Sequence, residues 1–129
     1  MRAPYNPRAE DLSEWAYRAS AQEPVQDWDL ILSHSPYESL YLKFASSNDC
    51  PKQEYFLSLL YLIVGDAVRT QYRTRRREDV ERLLKEAEQK FPSHWVQLWV
   101  QRARALIAGK QPFRCDDWCA GVLARDYER

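Results

Sequence analysis

The chain has 129 residues, with 19 Lys plus Arg against 19 Asp plus Glu, no formal net charge, and 45 % hydrophobic residues including five Trp and eight Tyr. That much apolar mass excludes a disordered chain and fits a single domain over residues 1–129. Three glycines exclude a glycine-rich phosphate cradle, a collagen repeat and a turn-dense β-sandwich.

In chain order, the apolar spacing predicts helix almost throughout. Asn6 and Pro7 have the form of a cap followed by a first-turn proline, and Glu10 and Asp11 suit the positive end of a helix. Leu12, Trp15, Ala16 and Ala19 then make one stripe, with Pro24 expected to close the helix. Trp28, Ile31 and Leu32 repeat that spacing in a second helix. Ser35, Pro36, Tyr37 and Glu38 match a capping box with proline at the first helical position, ahead of Tyr37, Leu40, Tyr41 and Phe44. Ser46, Ser47, Asn48 and Asp49 mark a loop.

Over residues 51–73 apolar side chains cover most sides, which places this helix in the middle of the fold. Two strands are the rival reading, but strict alternation is absent and Gly65 is the sole turn signal in the run. A basic junction follows at residues 73–77. Val80, Leu83, Leu84 and Ala87 then stripe a helix ending at Phe91 and Pro92. Ser93 caps another, with Trp95, Leu98, Trp99, Arg102 and Leu106 on one face and Gly109 as its stop. A last short helix is expected from about Asp116, with Trp118, Cys119 and Val122 facing inward. The predicted fold is all-α: a compact bundle or right-handed array of six to seven helices. No internal repeat recurs at a fixed period.

Most catalytic signatures are missing. No H-x-E, H-E-x-x-H or G-x-S-x-G string occurs, and the Gly109–Lys110 pair lacks the earlier glycine and following Ser or Thr of a phosphate loop, having Arg104 and Gln111 there. Glu10 and Glu14 share a helix face, but acids at a helix start complement the macrodipole without any catalytic role. The expectation is therefore no enzyme and no cofactor. Three cysteines, an odd number, fit reduced thiols, and the amino terminus has no apolar run resembling a signal peptide, so a cytoplasmic location and no membrane association are expected. Cys115 and Cys119 would share a helix face, and with Cys50 and either His34 or His94 they could complete a zinc site. Their spacing is not that of a zinc knuckle, and buried cysteine is a common core filler, so core packing is expected and a small metal-binding protein stays an alternative.

The neutral total hides an asymmetry. Residues 1–67 carry five bases and ten acids, and residues 68–129 carry fourteen bases and nine acids. Asp66 lies in the most apolar segment and needs a partner there, which Arg69 supplies three residues on; a buried structural ion pair is expected. Arg73, Arg75, Arg76 and Arg77 make the strongest charge feature, whose guanidinium forks suit carboxylates or phosphates. Glu78, Asp79 and Glu81 follow at once and cut the local field. Trp15, Trp28 and Trp118, each beside acids in sequence, are candidates for a partly exposed binding rim. The leading expectation is a non-enzymatic protein-binding module, in concrete form a bacterial toxin-neutralising immunity protein or an adaptor. The alternative is a helical nucleic-acid-binding module that reads phosphates through the segment from Arg69 to Arg77.

Overall fold

The computed structural model describes residues 3–114, and these form an all-α bundle. Six helices follow one another: α1 (Ala9–Ala16), α2 (Trp28–Ser33), α3 (Glu38–Ser46), α4 (Gln53–Arg69), α5 (Arg77–Lys90) and α6 (His94–Ile107). The seventh helix expected from Asp116 lies outside the described residues, as do Cys115, Trp118 and Cys119. No strand occurs among the described residues, so the helical reading of residues 51–73 stands over its β rival.

α4 is the axle. Its residues from Phe56 to Gly65 are all buried, and α3 and α6 flank it, with α2 packed on it and α5 laid across α6 and α3. A segment apolar nearly all round can be satisfied only when covered on several sides. α5 instead buries one stripe, Val80, Leu83, Leu84 and Ala87, as its spacing predicts. The α5–α6 corner is held by Gln97, whose amide donates to the carbonyls of Ala87 at 3.1 Å and Phe91 at 2.8 Å. Gly109, at φ 73°, ends α6 where predicted: the N–H groups of Gly109 and Lys110 bond the carbonyls of Leu106 and Ala105.

Three local expectations change. α1 starts after Arg8, not Asn6, because the Asp11 carboxylate accepts the Arg8 backbone N–H at 3.2 Å. It ends at Ala16, leaving Ala19 exposed in a loop. The carbonyls that would have extended it serve side chains instead: Lys52 donates to those of Arg18 and Ala21 while lying 4.3 Å over the Trp15 ring, and the Trp15 indole donates to Gln22 at 2.9 Å. The capping box at Ser35 does not form. Ser35 donates to the Ile31 carbonyl at 3.0 Å and so finishes α2, Tyr37 takes the cap position of α3, and Glu38 turns to a distant arginine. In α6 the buried stripe is Val96, Trp99, Val100, Ala103 and Leu106, and Trp95, Leu98 and Arg102 fall on its half-buried flank. Val96, Val100 and Ala103 pack there beside the larger Trp99 and Leu106, and the Arg102 guanidinium lies 4.9 Å from the Tyr61 ring centroid.

Gly65 is a notch rather than a turn. A Cβ built there would come within 2.0 Å of the Phe113 ring. That ring stacks on Tyr61 at 5.3 Å, and the Arg114 backbone N–H donates to the Tyr61 hydroxyl at 3.1 Å, so the segment after α6 is strapped across α4. Gly65→Ala should displace Phe113, and this loss offsets the gain of about 1 kcal/mol in helix propensity. In a Phe113→Ala background the same substitution is expected to stabilise by about that full amount. Urea denaturation of the four chains reads the contrast; an equal gain in both backgrounds would show that the ring gives way freely.

Candidate functional site

The basic junction is built by an unusual helix end. α4 closes with Gln71 at φ 56° and Tyr72 at φ 65°, both left-handed without being glycine. Their N–H groups bond the carbonyls of Val68 at 3.1 Å and Ala67 at 2.7 Å, which satisfies the last turn and reverses the chain toward α5. The loop that follows brings Arg73, Arg75 and Arg76 beside the starts of α3 and α5.

Those arginines have different surroundings. Arg75 points inward: one terminal nitrogen donates to the Ser33 carbonyl at 2.6 Å and the other to the Glu38 carboxylate. The Arg75 and Glu38 side chains are 18 % and 25 % exposed, so this is a semi-buried strap tying the loop to α2 and α3. Arg76 donates through Nε to Asp79 at 3.2 Å, and Arg82 reaches the other Asp79 oxygen at 3.1 Å. The hydrogen bond from Arg76 holds the Asp79 carboxyl below the usual carboxylate range. Arg77 lies 5.8 Å over the Tyr72 ring. Arg73 is exposed and makes no ion pair among the described residues. Arg69 and Asp66 meet at 2.5 Å, but the arginine is 60 % exposed, so the pair sits at the surface of α4 rather than inside it.

Two hollows meet on this strap. One, of about 340 Å³, is bounded by His34, Pro36, Tyr72, Arg73 and Arg76; the other, of about 240 Å³, by Ser39, Arg82, Leu83 and Glu86. Glu38, Arg75 and Asp79 line both, so together they form one trough between the start of α3 and the first turns of α5. Ser39 donates to both Glu86 oxygens, at 3.0 and 2.7 Å, which fixes the far wall. Glu38, Asp79, Arg82 and Glu86 are trough residues that sequence reasoning did not assign to a site. Glu38 had a local explanation as a cap, and the other three look like the ordinary solvated face of α5.

The tryptophans stand apart from this trough. Trp28 is fully buried and Trp15 nearly so, which corrects the expectation of an exposed rim. Their rings meet edge to face at 4.8 Å, and the Trp28 indole donates to the Pro4 carbonyl at 2.8 Å. The neighbouring acids mark the outer side of the same segments and carry no information about the indoles, which find apolar surroundings and internal acceptors. Cys50 is likewise in the core, its sulfur 3.4 Å from the Ala16 carbonyl, and burial pushes its thiol pKa up. Among the described residues no group of three or more His, Cys, Asp and Glu is arranged to hold a metal, and no helix is long and apolar enough to cross a membrane. Comparison with family models, curated proteins and solved structures gives no match for the chain.

Proposed function

We propose that the chain is a non-enzymatic module that docks one cognate protein through the trough between α3 and α5. Its concrete form is a cytoplasmic toxin-neutralising immunity protein or an adaptor. The observation that carries this reading is the two-signed trough itself, exposed arginines standing over a semi-buried Arg75–Glu38 pair. Such a surface specifies orientation and speeds encounter with a complementary protein face. The nucleic-acid alternative has weaker support. Arg69, Arg75 and Arg76 each already face a carboxylate, and Glu38, Asp79 and Glu86 would oppose a continuous phosphate backbone.

The test uses the full chain as bait at native expression, beside a folded Arg73→Glu/Arg76→Glu variant. One protein retained by the wild type and lost by the variant is the expected result. Retention of nothing that depends on this face would overturn the reading, and nuclease-sensitive retention would transfer it to nucleic acid.

A further inference from the structure

Resting on that docking reading, we infer that the segment received by the trough is acidic: a stretch of protein presenting spaced carboxylates to Arg73, Arg76 and Arg82. Cations and anions are sorted by depth. The Arg76 and Arg82 side chains are 74 % and 73 % exposed, whereas Asp79 between them is 31 % exposed and Glu38 25 %. The Arg76 and Arg82 guanidinium groups are therefore more open to an approaching chain than the Asp79 and Glu38 carboxylates.

Hydrogen-bonding capacity points the same way. The Asp79 carboxylate already accepts from both Arg76 and Arg82, and the two Glu86 oxygens share the single Ser39 hydroxyl proton. The acids are thus engaged by the protein's own donors. Each guanidinium offers five N–H donors, and here Arg76 spends two of them on Asp79 and Arg82 one. Arg73 has no ion-pair partner among the described residues. What is unspent at the rim is donor capacity, so the ligand that complements it is an acceptor, and the forked geometry favours planar carboxylates. The floor supplies the selectivity. Acids at Glu38, Asp79 and Glu86 repel phosphates carried in the backbone itself, but carboxylates at the ends of peptide side chains can face the arginines and leave the neutral peptide backbone over the floor.

The experiment measures fluorescence anisotropy of the full chain with three labelled probes at low salt: an oligoglutamate peptide of about ten residues, an oligolysine peptide of equal length and a single-stranded oligodeoxynucleotide. The expected result is saturable binding of oligoglutamate alone, weakened about tenfold by Arg73→Ala/Arg76→Ala/Arg82→Ala. Removing cations elsewhere, in Arg18→Ala/Lys43→Ala/Lys110→Ala, should change it by less than about twofold. Circular dichroism checks that both variants fold; should the triple variant fail, the single variants Arg73→Ala and Arg82→Ala are expected to give smaller losses in the same direction. Equal weakening by both sets, absence of oligoglutamate binding, or tighter rim-dependent binding of the oligonucleotide would each overturn the inference. If a protein partner is still lost on Arg73→Glu/Arg76→Glu while oligoglutamate does not bind, the acidic assignment fails and the docking reading survives.

Discussion

Replacing Trp28 with alanine is expected to destabilise the fold by about 4 kcal/mol, the largest effect of any single change considered for this chain. The side chain is fully buried, and its loss empties the space between α1 and α2 while removing the edge-to-face partner of Trp15. It also leaves the Pro4 carbonyl without the indole N–H that bonds it at 2.8 Å. Trp28→Phe separates these contributions by keeping a ring and deleting the donor, for a cost of about 2 kcal/mol. Trp99 is the contrasting case. It is equally buried, yet its indole N–H has no hydrogen-bond partner among the described residues. A buried unsatisfied donor costs about 1–3 kcal/mol, so Trp99→Phe removes a penalty as it removes packing. Its net cost should stay under about 1 kcal/mol. Equilibrium urea unfolding with an unchanged m-value measures the difference. Equal costs for the two Phe substitutions would show that ring volume alone matters at both sites.

The two tryptophans also show how far the sequence could be read. Periodicity found α4 and α5 with their buried faces because long helices average over many residues, and no single contact can override the pattern. It failed where one side-chain bond decides a local question. Ala16 ends α1 where Lys52 and Trp15 bind the carbonyls beyond it, and Ser35 gives up its capping role because its hydroxyl turns back to donate to the Ile31 carbonyl, away from the N–H groups of α3. Lys52 lies more than thirty residues from the carbonyls it binds, and the turn of the Ser35 hydroxyl toward Ile31 is a rotamer choice that residue types do not reveal. The acids beside Trp15 and Trp28 misled for a related reason, since adjacent residues on a helix point in different directions. At the candidate site, the run of arginines was plain, but Arg75, Arg76 and Arg77 are chemically identical neighbours. Which of them turns inward is fixed by Glu38, 37 positions from Arg75, and by a left-handed turn at Gln71 and Tyr72 that contains no glycine to announce it. Gly65 stood out as a break in an apolar run, and its purpose depends on Phe113, which lies beyond two further helices.

Arg75→Ala is expected to cost about 2 kcal/mol, more than a surface ion pair and less than a fully buried one. The magnitude follows from position: the pair is semi-buried, at 18 % and 25 % exposure, so water screens it in part. Two acceptors lose their donor at once, the Glu38 carboxylate and the Ser33 carbonyl, and Ser33 is itself buried. Glu38 keeps some compensation in the first turn of α3, where the helix dipole favours an anion. Glu38→Gln alone should therefore cost less than Arg75→Ala, because Arg75 retains its bond to Ser33 and can turn its freed donors to the new amide. Arg75→Lys preserves the charge but not the fork that reaches both acceptors, so it should recover less than about half of the loss. The double-mutant cycle between Arg75→Ala and Glu38→Ala isolates the pair, with an expected coupling of about 1 kcal/mol. The remainder belongs to the Ser33 carbonyl. Full recovery by lysine would mean that Arg75 acts as a point charge rather than as a two-armed strap. The trough depends on this strap because Arg75 and Glu38 line both of its halves. Losing it should free the α4–α5 loop, spread the positions of Arg73 and Arg76, and weaken oligoglutamate binding although Arg75 itself is largely covered. Amide hydrogen exchange supplies the check: faster exchange in Arg75→Ala at residues 70–76, with α4 and α6 unchanged, ties the stability of the pair to the shape of the docking surface.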